Sequence, residues 1–138
     1  MANLLHKELS YHLQGAAIDV RKQYGSGHKE IFYQRALADE LTFRKIFFNR
    51  EKSIPIYSCR TGRILCSYKP DFIIDDKIIV EIKALSVVPS GLIDQLYDYL
   101  RNSEYELGYF VNFGGEKLLV RRIIYTNDRK FKESFSGV

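Results

Sequence analysis

The stretch from Tyr68 to Ala84, YKPDFIIDDKIIVEIKA, limits what this chain can fold into more than any other. It reads as two apolar strands joined by an acidic turn, with Asp71, Glu81 and Lys83 placed where charge is expensive. Side chains alternate along a strand, so Glu81 and Lys83 share a face with Ile79 and Leu85, while Ile78, Val80, Ile82 and Ala84 take the other. A run apolar on both faces reads as a strand buried on both sides. A carboxylate and an ammonium there are costly unless they pair with each other or bind a metal. The loop sets the register. If residues 75–77 form it, Asp71 lies opposite Glu81 and Ile73 opposite Ile79, on one face. A two-residue loop sends Asp71 to the other face. With the odd loop, Asp71, Glu81 and Lys83 converge on one point.

The rest of the chain supplies a scaffold for that hairpin. Leu5, Leu9, Leu13, Ala16, Val20 and Tyr24 recur at helical spacing, and Gly25-Ser26-Gly27 stops the helix. A second helix is expected from about His28, with Tyr33, Leu37 and Leu41 on its apolar stripe and Glu30 in its first turn, where the helix dipole favours a carboxylate. From Ile46 to Tyr57 the pattern is that of a strand, with Asn49 to Ser53 as a candidate interruption. A turn at Arg60–Arg63 then leads through Ile64–Tyr68 into the central hairpin, and Pro70, which cannot donate to a ladder, belongs at a strand start or bulge. Leu92–Leu100 is a third helix carrying Gln95 and Tyr99 on one face. Residues 107–113 and 118–125 are the last strands, and Asn127–Val138 has the composition of a frayed tail. The order ααβββαββ implies an α/β fold, a three-layer sandwich with a mixed central sheet flanked by helices, in one domain over residues 1–126. The third helix is a crossover, so the strands on either side of it should be parallel.

Composition excludes several classes. No apolar run approaches the roughly 20 residues needed to span a bilayer, and Met1–Lys7 lacks the order of a secretory signal, so a cytoplasmic protein without membrane contact is expected. Cys59 and Cys66 cannot supply a four-thiolate centre, which argues against an iron–sulfur cluster, and in the cytosol they are expected as reduced thiols. The net charge is +4, unevenly spread: residues 21–69 hold eleven Lys and Arg against four acids, a surplus of +7. A basic flank beside an acidic pocket suits a polyanion that also needs a metal, although an ordinary solvated surface has the same composition.

Asp71 and Glu81 offer hard oxygens suited to Mg²⁺ or Mn²⁺, and the Ile82 carbonyl is a third candidate ligand. Lys83 reaches the same centre, to orient or deprotonate an attacking water or to stabilise charge on a phosphorane-like transition state. These parts make a metal-dependent phosphodiesterase. The competing reading is a structural ion pair of Lys83 with Asp71 or Glu81. No GxSxG or HExxH motif is present, and the three histidines are scattered.

Pro70-Asp71, nine residues, then Glu81-Ile82-Lys83 resembles the signature of the PD-(D/E)XK nuclease superfamily, whose fold is restriction-endonuclease-like. Gln95-Leu96-Tyr97-Asp98-Tyr99 resembles the Gln-x-x-x-Tyr motif of its RecB-like exonuclease branch. Almost the whole chain also resembles the small proteins of the GxxExxxR family, from Glu8-Leu9-Ser10 and Gly25-x-Gly27-His28-Lys29-Glu30 through Tyr33 and Ala36-Leu37 to Asn112-Phe113-Gly114 and Arg121-Arg122-Ile123. Gln34 stands where that family's Arg is expected, with Arg35 one residue later, and one residue turns a helix face by about 100°.

The resemblance implies Asp71 and Glu81 as metal ligands and Lys83 as the catalytic lysine. It implies Glu30 as an additional acid that meets the metal directly or through water, and Gln95 and Tyr99 as walls that touch substrate or order Lys83. Arg35, Arg60, Arg63 and Lys69 are candidates to hold a nucleic-acid backbone. The activity implied is Mg²⁺- or Mn²⁺-dependent cleavage of DNA. The alternatives are a nucleic-acid- or partner-binding module without turnover, and a dimeric junction-resolvase-like endonuclease.

Overall fold

The computed structural model describes residues 5–131. Two helices come first, α1 (Lys7–Tyr24) and α2 (Glu30–Phe43). Five strands follow: β1 (Phe48–Arg50), β2 (Ile54–Tyr57), β3 (Ile64–Tyr68), β4 (Phe72–Ile74) and β5 (Ile78–Lys83). Then come α3 (Ser90–Arg101), β6 (Leu107–Asn112) and β7 (Leu119–Ile124). Five strands form one mixed sheet in the order β1-β4-β5-β6-β7, and β2 and β3 form a separate two-stranded sheet. β5 and β6 are parallel, joined by α3 as a crossover, and the other neighbours are antiparallel.

The sheet separates two apolar cores, which makes three layers. On one face Phe72, Ile74, Ile78, Val80 and Ile82 pack with Leu13, Val20, Tyr33 and Leu37 of α1 and α2. On the other, Ile73, Ile79 and Phe110 pack with Leu96 and Leu100 of α3. The alternation along β5 therefore follows the expected faces. Glu81 and Lys83 belong to the α3 face.

The strand over 46–57 is interrupted between Arg50 and Ile54, within the candidate stretch, and a gap separates Ile64–Tyr68 from Phe72–Ile74. Glu51 takes a left-handed φ of 53°, which turns the chain out of the main sheet. Pro70 lies in the gap between β3 and β4, where its missing N–H interrupts no ladder. Between these two points the chain makes an excursion, the β2–β3 arm. It is anchored by Ile54 and Tyr68 in the α3-side core and exposed at its far end.

The central hairpin has the odd loop. Ile73 pairs with Ile79 and Ile74 with Ile78, leaving residues 75–77 as the connection. Asp75 and Asp76 both adopt positive φ, 48° and 54°, a conformation that the short Asp side chain tolerates. The Lys77 N–H closes the turn on the Ile74 carbonyl at 2.9 Å.

Asn127 does not begin a frayed segment. Asn127–Arg129 forms a 3₁₀ turn, and Lys130 Nζ donates to the carbonyls of Ser103 and Tyr105, both at 2.8 Å. Residues 132–138 of the expected tail lie outside the described residues. Among the described residues, no helix is long and apolar enough to cross a membrane.

Candidate active site

The site forms where β5 outruns β4. The β4–β5 ladder ends at Phe72↔Val80, so from Glu81 onward that edge of β5 has no strand partner among the described residues. Asp71, in the bend just before β4, fills the gap. Its Oδ2 accepts the Ile82 N–H at 2.7 Å. In an extended strand the N–H and C=O of one residue point to the same side, so the Ile82 carbonyl is on this open edge as well. The carboxylate thus replaces a missing ladder acceptor, at the cost of being partly buried. Burial pushes the Asp71 carboxyl up, helped by Glu30 and opposed by the Ile82 N–H and Lys83.

Glu81 is held from the other side. The Tyr68 hydroxyl donates to its Oε1 at 2.5 Å, and the Tyr68 ring stacks on Tyr99 of α3 with centroids 3.5 Å apart. Burial, then the charge of Asp71, pushes the Glu81 carboxyl up to about 7, against the opposing pull of the Tyr68 hydrogen bond and Lys83. Burial, and then the same carboxylate, raises the Tyr68 phenol, so it remains a donor.

Lys83 ends β5 with its ammonium 3.8 Å from Glu30 Oε1, at the start of α2. Its backbone is fixed tightly. The Phe113 N–H donates to the Lys83 carbonyl at 2.9 Å, and the buried Asn112 side chain makes two 2.8 Å bonds to the backbone of Leu85. Gly114 allows this approach, because a Cβ there would stand 2.4 Å from the Ala84 and Leu85 backbone.

Glu30 belongs to a longer chain of contacts. Gln34 Nε2 donates to Glu30 Oε2 at 3.1 Å, and Arg50 Nη2 of β1 donates to Gln34 Oε1 at 3.1 Å. A buried Gln34 therefore links Arg50 to the acid that pairs with Lys83. Tyr68 and Arg50 lie in no motif, and Gln34 occupies a motif position with a different residue. Tyr68 was legible only as a strand residue, because its bond to Glu81 joins two different sheets.

Tyr68, Lys69, Glu81, Lys83, Gln95 and Tyr99 line one cavity of about 270 Å³. Gln95 Nε2 and the Tyr99 hydroxyl are 3.4 Å apart on the same face of α3. The structure thus brings together Asp71, Glu81, Ile82, Lys83, Gln95, Tyr99 and Lys69, with Glu30 at the edge through Lys83. Arg35 is elsewhere, lining a separate hollow with Tyr24, His28 and Phe32. Arg60 and Arg63 sit at the exposed turn of the arm.

A divalent cation fits this arrangement in its donor chemistry. Two hard carboxylates converge beside a carbonyl-bearing open strand edge, both pushed up by burial and Glu81 further by the charge of Asp71, a cost that a cation offsets. Among the described residues, no three His, Cys, Asp or Glu side chains gather closely enough to form a full protein cage. Mg²⁺ needs none, since water and phosphate complete its octahedron. Glu30 is occupied by Gln34 and Lys83 rather than joining the pair.

A family described as the PD-(D/E)XK nuclease superfamily matches residues 7–123. The chain belongs to this superfamily. Its members generally use divalent metals and act on nucleic acid. Among solved structures, an alkaline exonuclease from Laribacter hongkongensis is similar at a TM-score of 0.49 and 14% identity, covering 93% of this chain and 73% of that one. No curated protein matches the sequence.

Proposed function

We propose that this superfamily member is a Mg²⁺- or Mn²⁺-dependent deoxyribonuclease, with Asp71, Glu81 and the Ile82 carbonyl as metal ligands and Lys83 as the catalytic lysine. The observation that carries the reading is the register of the central hairpin, with Ile73 opposite Ile79, which puts both acids and Lys83 on one face beside an open strand edge. A bound divalent ion would supply an acidified water and polarise the scissile phosphate.

The chain's own residues do the rest. Asp71 and Glu81 present converging oxygens, one oriented by the Ile82 N–H and the other by the Tyr68 hydroxyl. Lys83 puts an ammonium where negative charge grows on the phosphate oxygens, or takes part in activating the water. Glu30 restrains Lys83 across 3.8 Å, so the lysine is aimed rather than free to swing. Gln95 and Tyr99 close the cavity from α3 and contact the strand being cut. The narrower likeness to the GxxExxxR proteins fits Gly27-x-x-Glu30. Where that family has Arg, Gln34 borrows a guanidinium from Arg50.

Cleavage of end-labelled DNA in Mn²⁺ or Mg²⁺ tests this. Activity should vanish with EDTA. Asp71→Ala and Lys83→Ala should lower it by about 10²–10⁴-fold. Unchanged cleavage in both variants, with melting curves like the wild type's, sinks the proposal.

A further inference from the structure

We propose that the β2–β3 arm is a platform for unpaired bases of the nucleic-acid substrate. Its cations hold the phosphates, while Tyr57, Ile64 and Leu65 lie against the faces of bases in a strand that is not in duplex. The inference rests on the nuclease reading of the adjoining cavity and deepens it by naming the substrate class.

Charge is the first support. From Lys52 to Pro70 the chain contains Lys52, Arg60, Arg63 and Lys69 and no acid, so this excursion alone carries +4, equal to the net charge of the whole protein. A second copy of the same arm would be repelled by that charge, whereas a polyanion is attracted.

Apolar exposure is the second. At the far end Tyr57 is 57% exposed, Ile64 54% and Leu65 60%. Tyr57 pairs directly with Ile64, and the register slips by one between Ile56 and Tyr57, so that Leu65 is the extra residue of a bulge. Duplex DNA offers such side chains sugar, phosphate and polar groove edges, with its base faces stacked away. A single strand offers the faces themselves, and stacking of a base on an aromatic ring such as Tyr57 tolerates any sequence, with Ile64 and Leu65 adding apolar contact beside it.

Continuity is the third. The root of the arm, Ser67, Tyr68 and Lys69, lines the active cavity, and Tyr68 is bonded to Glu81. From Lys69 to Arg63 the extended chain runs about 20 Å, the length of roughly six stacked nucleotides, so a strand cut at Glu81 would pass along the arm.

The test reads binding by fluorescence anisotropy with Lys83→Ala protein in EDTA, using a labelled 30-nucleotide single strand and the blunt duplex of the same sequence. The single strand should bind about tenfold or more tightly at equal salt. Ile64→Ser with Leu65→Ser should bring the single strand down to the duplex level and leave the duplex unchanged. Tyr57→Ala is a second variant should that pair melt early. Arg63→Ala should weaken both substrates and reduce the salt slope by about one.

Equal affinity for the two forms overturns the proposal. So do apolar variants that leave the single strand untouched, or variants that change the sedimented mass, which would make the arm an interface between copies. Because no cleavage is read, failure of the arm is distinct from failure of the nuclease reading, which shows as Lys83→Ala protein that still cuts.

Discussion

The central strands and the β2–β3 arm are neighbours in sequence and opposites in physics. In β4, β5 and β6 all but two side chains are buried, and those two are Glu81 and Lys83, each held by named partners. In the arm the burial runs the other way: four of five β3 residues are exposed, and the cations of the turn face solvent. The first region holds its charges by a hydrogen bond and an ion pair, and the second presents charge and apolar surface to solvent. A phosphodiesterase needs both, a rigid place to put the scissile phosphate and an adaptable one to hold a strand.

The contrast is broken most forcefully at the centre. Asp71→Ala and Lys83→Ala should cost orders of magnitude in cleavage. Gly114→Ala should follow with a loss of stability of several kcal/mol, since its Cβ would meet backbone at 2.4 Å, and urea titration measures it. Ile79→Ala on the same strand should cost about 2–5 kcal/mol, while Leu65→Ser in the arm should stay within about 0.5 kcal/mol. Similar losses at Ile79 and Leu65 would erase the comparison.

A pH effect of intermediate size sharpens it. In the metal-free protein the Glu81 carboxyl titrates at about 7 against an ordinary 4.5. A folded-state value raised above the unfolded one means that its contribution is full below about 4.5 and is lost as pH rises through 7. The loss amounts to about 3 kcal/mol. Thermal melts of wild type against Glu81→Gln should therefore diverge across that window, the wild type losing more as pH rises. Added Mn²⁺ should recover stability at pH 7.5, because the ion takes the carboxylate form. The smallest effect concerns Gln34→Ala, which removes the bridge between Arg50 and Glu30 and should reduce kcat a few-fold while leaving KM near its starting value.

What the sequence made legible follows from periodicity. The apolar runs limit the hairpin to two outcomes, a loop over 75–77 that keeps Ile73 opposite Ile79 and Asp71 on the face of Glu81, or a two-residue loop that sends Asp71 to the other face, and the structure has the first. The parallel pairing of β5 and β6 follows from a helix between them. The division into two sheets was hidden, because a period of two does not say where a strand bends. The positive φ of Glu51 and the gap at Pro70 make that bend. Contacts that cross between elements were hidden too. Tyr68 on Glu81 and Arg50 on Gln34 require the relative placement of β3, β5, β1 and α2, which no local pattern encodes. Arg35 could be placed on its helix but not on a side of it, and it faces a hollow away from the acids.

The central claim is that Asp71 and Glu81 act as one metal-holding pair. Calorimetric titration of the metal-free protein with Mn²⁺ at pH 7.5 tests it most directly. The account predicts uptake by the wild type that is lost in Asp71→Asn and in Glu81→Gln, both still folded. Uptake of equal strength in all three proteins, or none in the wild type, would contradict it.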